Sequence, residues 1–131
     1  MKKILIVDDD PDLQAGQKDY LEGHGYDVLT AGGMQEGLEI LQSTAPDLIL
    51  VDLMMEHYDA GFVFCAKVRE KPELAEVPII MQTSARDKLG FTPDSYDEKA
   101  RSWMKADTIL SKPVAPEDLL KTIEQYLQGR A

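Results

Sequence analysis

Three aspartates stand directly after short apolar segments of the chain. Asp8 and Asp9 follow the run ILIV at residues 4–7, and Asp52 follows the run LILV at residues 48–51. Unbroken apolar runs of this length are typical of strands in parallel sheets, whose two faces are both covered. Because open α/β sheets bind their ligands at the carboxyl ends of the strands, we expect the three carboxylates to converge in one crevice.

Such a group of carboxylates is unfavourable without a counter-charge, because like charges disfavour one another's ionised form. A divalent cation removes the repulsion, and oxygen ligands combined with water suit Mg2+ or Mn2+. The alternative is that the acids are solvated turn and cap residues. We adopt that interpretation for Asp10 alone, which precedes Pro11 and is placed to cap a helix that begins there.

Thr83 and Lys112 lie at the ends of two further apolar segments, and we expect both to reach the same crevice. Together with the acids they suit phosphoryl transfer. One carboxylate acts as the nucleophile, a metal ion and the lysine neutralise the phosphoryl oxygens, and the hydroxyl donates a hydrogen bond. A carboxylate needs no strong base for this reaction, since it is ionised at pH 7. A cis peptide bond before Pro113 would fix the direction of Lys112.

Apolar strands alternate with helical patterns five times along the chain. The predicted strands lie near residues 4–7, 26–31, 48–52, 77–83 and 108–110. Right-handed connections then give a parallel five-stranded α/β sheet with helices on both faces, in the strand order 2-1-3-4-5. The stretch 86–103 contains Gly90 and Pro93, so we expect it to begin as a loop or broken helix and to continue as a helix from about 94 to 105.

Length and charge narrow the class of protein. The chain has 131 residues, which favours one domain over 1–131, and a net charge of −10. This charge argues against direct nucleic-acid binding, which needs clustered Lys and Arg. Cys65 is the only cysteine, and its place on an apolar helical face predicts a buried, inert thiol. No segment approaches membrane-spanning length, and we expect a cytoplasmic protein.

Four segments follow one another along the chain: ILIVDDD at residues 4–10, PDLILVDLMM at 46–55, VPIIMQT at 77–83 and LSKP at 110–113. Their order resembles that of the response-regulator receiver domains of two-component signalling. Each segment is common by itself, but their joint order over nearly the whole chain is specific. The resemblance implies a flavodoxin-like (βα)5 three-layer sandwich. It also implies phosphorylation of Asp52 by a sensor histidine kinase or a phosphotransfer protein.

The resemblance further implies a ligand set for the metal. Mg2+ would be held by Asp9, Asp52 and the backbone carbonyl of Met54, with Asp8 assisting.

The same resemblance implies how the phosphoryl group is contacted. Lys112 would bind it, and Thr83 would move toward it on phosphorylation, although Ser84 offers a second hydroxyl. In the family an aromatic residue three positions before the lysine takes part in switching, and Ile109 occupies that position here. We therefore expect the signal to pass through the segment 86–104, which belongs to a connection longer than is usual in the family.

These features predict a phosphorylation-dependent signalling switch without an output domain. Phosphorylation would change the surface with which it binds a downstream target protein. We expect a monomer or weak homodimer with no direct contact to nucleic acid or membrane. It would not be an ordinary enzyme, since it would catalyse only its own phosphorylation and dephosphorylation. Met54 and Ala85 offer no polar group to orient an attacking water, so we expect a long-lived phosphoryl group.

Three other functions fit the sequence less well. A Mg2+-dependent aspartyl-phosphate phosphohydrolase usually has an acid two residues after its nucleophile, where this chain has Met54. A flavodoxin-like cofactor binder needs a neutral phosphate loop after the first strand, and the acids at 8–10 would repel a phosphate. A degenerate receiver that acts only as an interaction module is expected to have lost part of the acid and lysine set, and the set is complete.

Overall fold

Five parallel strands form one sheet in the order β2-β1-β3-β4-β5, which confirms the predicted topology. The fold comes from a computed structural model that describes residues 2–52, 60–83, 107–111 and 114–128, with the backbone alone at 60–62, 83 and 111. The strands are β1 (Lys3–Val7), β2 (Asp27–Ala31), β3 (Leu48–Asp52), β4 (Ile79–Thr83) and β5 (Thr108–Ser111). β4 begins two residues later than predicted, because Pro78 has no N–H to donate to the ladder.

Helices cover both faces of the sheet. Those of the described residues are α1 (Pro11–Glu22), α2 (Met34–Leu41), α3 (Ala60–Arg69) and α4 (Pro116–Gln128), with a 3-10 turn at Pro72–Leu74. Asp10 caps α1 as predicted, since its Oδ1 accepts hydrogen bonds from the backbone N–H groups of Asp12 and Leu13 at 3.0 and 3.2 Å. The helix expected from about 94 to 105 lies outside the described residues.

The core consists of two apolar layers, one on each face of the sheet. Successive strand residues point to opposite faces, so Ile49, Val51 and Met81 pack with α2 and α3, whereas Leu50 and Ile80 pack with α1 and α4. Every residue of β3 is buried, as expected for the middle strand of a sheet that is covered on both faces. The predicted three-layer sandwich is therefore confirmed.

Cys65 lies in the layer formed with α2 and α3 and is fully buried. Burial raises the pKa of its thiol to about 12, with the nearby Arg69 lowering it and Asp107 raising it by smaller amounts. The thiol is therefore protonated at neutral pH, which agrees with the predicted inert side chain.

An arginine joins α3 to the edge of the sheet where β4 and β5 begin. Arg69 donates to Asp107 Oδ2 at 3.0 Å and to the backbone carbonyls of Leu74, Ala75 and Val77. Asp107 Oδ2 also accepts from the N–H of Ile79 at 2.8 Å. This network, which we call the arginine clamp, fixes the start of β4 at the end of the sheet opposite to the acidic residues.

Candidate functional site

Three carboxylates meet at the carboxyl ends of β1 and β3. One carboxylate oxygen from each of Asp8, Asp9 and Asp52 lies within 4.8 Å of the others. Asp8 and Asp52 are 1% and 6% exposed, whereas Asp9 is exposed to solvent. The predicted convergence of the three acids therefore occurs, and it buries two of them.

Backbone and side-chain hydrogen bonds hold the loop that follows β1. The N–H of Asp8 donates to the carbonyl of Ala31 at 3.0 Å, and Asp8 Oδ1 accepts from the N–H of Asp10 at 2.9 Å. Gln14 of α1 donates from Nε2 to the carbonyls of Asp8 and Ala31. This side chain therefore ties α1 to the ends of β1 and β2, and the Asp8 carboxylate is fixed close to β3.

The geometry of the three acids fits a divalent cation. Neighbouring oxygens bound to one Mg2+ at about 2.1 Å in octahedral geometry lie about 3.0 Å apart, so three oxygens within 4.8 Å of one another would close around an ion by small side-chain movements. The ligands are hard oxygens, which Mg2+ and Mn2+ prefer. Asp9 faces solvent, which leaves room for the water molecules that Mg2+ retains.

Gln82 extends the acidic site toward β4. It pairs with Asp52 in the parallel register of β3 and β4. Asp52 and Gln82 lie two residues after Leu50 and Ile80, which pack with α1 and α4, so both side chains belong to that face. Asp8, Asp52 and Gln82 thus follow one another across three adjacent strands, and we call them the polar row.

A second glutamine from α1 completes this part of the site. Gln17 donates from Nε2 to Gln82 Oε1 at 3.0 Å, and the two residues are 9% and 2% exposed. Sequence analysis did not identify this pair. The signals were present, because Gln82 interrupts the apolar strand IIMQT and Gln17 lies one helical turn before the buried Leu21.

Several predicted site residues lie outside the described part of the chain, namely Met54, Ser84, Lys112 and Pro113. Of Thr83, only the backbone is described, and it pairs with Ser111 where β4 and β5 end. Ile109 is 2% exposed in the layer that contains α2 and α3. The position at which the family has its switching aromatic therefore holds a buried aliphatic side chain.

Comparison with known proteins identifies the family. The family model described as "Response regulator receiver domain" matches residues 4–124. The chain belongs to the response-regulator receiver family. Protein PilH of Pseudomonas aeruginosa is 34% identical, over 98% of this chain and 100% of its own length. Receiver domains are phosphorylation-dependent signalling switches that interact with histidine kinases and downstream effectors, and the family generally binds Mg2+.

Some relatives of this receiver domain are longer proteins. The DNA-binding dual master transcriptional regulator RpaA of Synechocystis is 33% identical over 98% of this chain, which spans about half (50%) of that protein. Among solved structures, the chemotaxis response regulator CheY4 of Vibrio cholerae matches with a TM-score of 0.81 and 31% identity, over 97% of this chain and 99% of that one. The flavodoxin-like fold predicted from the sequence is thus confirmed. In the described residues, no helix combines the length and apolar character needed to cross a membrane.

Proposed function

We propose that Asp52 is the phosphoacceptor of this receiver domain. The observation that carries the proposal is the burial of Asp52 at the end of β3 with an oxygen within 4.8 Å of those of Asp8 and Asp9. Packing gives no reason to bury a carboxylate beside like charges. Acceptance of a phosphoryl group beside a divalent cation gives a reason for that arrangement.

In the proposed reaction, an oxygen of the Asp52 carboxylate attacks the phosphorus of a phosphohistidine on a sensor histidine kinase or a phosphotransfer protein. The new P–O bond forms as the P–N bond breaks, and the imidazole nitrogen leaves with the electron pair and takes up a proton from water. Nothing is oxidised or reduced, and no base is required because the carboxylate is ionised at pH 7.

Asp8, Asp9 and Asp52 are the residues that would hold Mg2+ or Mn2+, with the backbone carbonyl of Met54 as a further ligand. A bound ion supplies positive charge to the phosphoryl oxygens. The hydrogen bond from the N–H of Asp10 to Asp8 Oδ1 at 2.9 Å supports this assignment, because it orients one carboxylate of the set before any ion binds.

Lys112 and Thr83 are proposed to contact the phosphoryl group, with Ser84 as the alternative hydroxyl. The register supports this proposal: Thr83 pairs with Ser111, and Lys112 is the next residue after Ser111 in the sequence. We also propose a cis peptide bond before Pro113, which would fix the direction of Lys112.

We further propose that phosphorylation alters the segment 86–104 and thereby the surface offered to a downstream target protein. The buried Ile109 supports this proposal, since an aliphatic side chain inside the apolar layer cannot take the part of the switching aromatic. Amide exchange of 86–104 should differ between the protein with beryllofluoride and Mg2+ and the protein with Mg2+ alone. Equal exchange would remove this part of the proposal.

Incubation with acetyl phosphate and Mg2+, followed by intact-mass measurement, tests the assignment of Asp52. The wild-type chain should gain one phosphoryl group, and Asp52→Ala should gain none. Asp10→Ser is the matched control, because serine keeps the helix cap and removes a carboxylate that lies outside the metal cluster. An Asp52→Ala protein that is phosphorylated as fast as the wild type would reject the assignment.

A further inference from the structure

The buried glutamine pair beside the acidic site has an incomplete hydrogen-bond arrangement. Gln17 Nε2 donates to Gln82 Oε1, but the buried Gln17 Oε1 has no hydrogen-bond partner among the described residues. Both side chains lie against an otherwise apolar layer that includes Leu21, Ile80 and Leu119. The pair is therefore a polar exception in the core between the sheet and helices α1 and α4.

Stability does not explain this pair. An unpaired buried acceptor is destabilising, whereas replacing both partners with apolar groups of similar shape is neutral or stabilising. Leucine side chains at positions 17 and 82 would pack against the surrounding apolar residues and would leave no side-chain polar atom unpaired. The amides at these positions therefore need a reason other than packing.

The position of Gln82 supplies that reason. It is the register partner of Asp52, and neighbouring strands lie about 4.8 Å apart, so the two residues are in adjacent places on one face of the sheet. Gln17 engages the carbonyl oxygen of Gln82 and thereby fixes the orientation of the amide. The remaining polar atom of that amide is its nitrogen, which is a donor and suits an anionic neighbour.

We propose that Gln82 is a positioning residue for Asp52, and that Gln17 fixes the amide of Gln82 in the orientation needed. This inference rests on the proposed function of Asp52. Gln82 gives one side of the buried carboxylate a fixed polar neighbour, while Asp8 and the cation site lie on the other side. In this proposal the fixed amide limits the directions that the carboxylate can take, and so favours the one needed for metal binding and for attack on the phosphoryl donor.

The variant Gln82→Met tests the proposal, since methionine keeps the length of the side chain and removes the amide. We expect Mg2+ binding, measured by calorimetry, to weaken about tenfold, or phosphorylation by acetyl phosphate to slow about tenfold. Loss of a group that orients a metal ligand typically costs 10- to 100-fold. Gln17→Leu should give a smaller change in the same direction, because Gln82 remains but its orientation is lost.

The double variant Gln17→Leu/Gln82→Leu separates positioning from structural support. It should unfold at the wild-type temperature or above, and still show weakened Mg2+ binding and slow phosphorylation. Leu110→Met is the matched control, since Leu110 is the register partner of Gln82 on the side away from Asp52. It should leave both measurements at wild-type values.

Wild-type Mg2+ affinity and phosphorylation rate in Gln82→Met and Gln17→Leu would overturn the inference. Losses that occur only together with a lowered unfolding temperature, or that Leu110→Met reproduces, would also overturn it. Failure of the proposed function is distinguishable, because the wild-type chain itself would then gain no phosphoryl group.

Discussion

Removal of the charge at Asp52 should stabilise the metal-free protein, although we also expect it to abolish phosphorylation. Asp8 and Asp52 are both buried and have oxygens within 4.8 Å of one another. At this separation two like charges repel by about 3 kcal/mol for an effective dielectric constant of about 20, and by about 1 kcal/mol in water. Asp52→Asn keeps the shape of the side chain and removes this repulsion, so we expect a gain of about 2 kcal/mol.

For a chain of this length, 1 kcal/mol shifts the unfolding midpoint by about 4 °C. Thermal unfolding in EDTA should therefore show Asp52→Asn about 8 °C above the wild type. Saturating Mg2+ at 100 times its dissociation constant should stabilise the wild type by about 2.7 kcal/mol, and should stabilise the variant much less because one carboxylate ligand is lost.

Asp19→Asn is the control for this experiment, because Asp19 is an exposed acid on α1 outside the cluster. Its unfolding midpoint should stay within about 2 °C of the wild type in both conditions, as expected for a surface substitution. Equal midpoints for Asp52→Asn and the wild type in EDTA would show that the carboxylates do not destabilise the fold. Equal stabilisation of the two proteins by Mg2+ would show that Asp52 is not a ligand.

Three further predictions concern the clamp, the thiol and the phosphoryl group. Arg69→Met should lower the free energy of unfolding in urea by about 3 kcal/mol, because it removes the charged donor from the carbonyls of Leu74 and Val77 and from Asp107, which keeps only the N–H of Ile79. Lys67→Met, an exposed change on the same helix, should have little effect. Cys65 should react with a thiol reagent only on unfolding. Its raised pKa also means that the protonated thiol contributes its full stabilisation below about pH 9. This contribution is lost as the pH rises toward about 12, and urea unfolding at several pH values measures the loss. The phosphoryl group should persist for minutes or longer in a time course by intact mass, since Met54 and Ala85 cannot orient water, and a lifetime of seconds would contradict that expectation.

The sequence predicted the fold because its strands are unbroken apolar runs that follow one another at the spacing of β–α units. The runs at 4–7 and 48–51 can be recognised as buried strands from their own residues, without knowledge of which segments they pack against. The strand order came from the known doubly wound topology, and the acidic cluster followed from it, since that order makes β1 and β3 neighbours. Boundaries were less exact, and β4 begins at Ile79 where the pattern placed its start at 77.

The glutamine pair could not be predicted in the same way. A helical pattern places Gln17 on the inward face of α1, but a single inward glutamine is compatible with many partners. Only the register of β3 and β4, and the packing of α1 over them, bring Gln17 to within 3.0 Å of Gln82. The arginine clamp is similar, because Arg69 and Asp107 lie 38 residues apart in sequence and meet through the packing of α3 beside β4 and β5.

Polar and apolar side chains are distributed unequally over the two faces of the sheet. On the face covered by α2 and α3, the position of the switching aromatic is filled by Ile109, which is buried in an apolar layer. On the face covered by α1 and α4, a polar row runs from Asp8 through Asp52 to Gln82 and continues through Gln17 into α1. On the α1 side, the register neighbour of Asp52 is therefore a glutamine that is itself hydrogen-bonded to α1, whereas position 109 holds only an aliphatic side chain. Because buried hydrogen bonds break or re-form when a partner moves, whereas an apolar contact tolerates small shifts, α1 is the described element that we expect to respond most directly to phosphorylation.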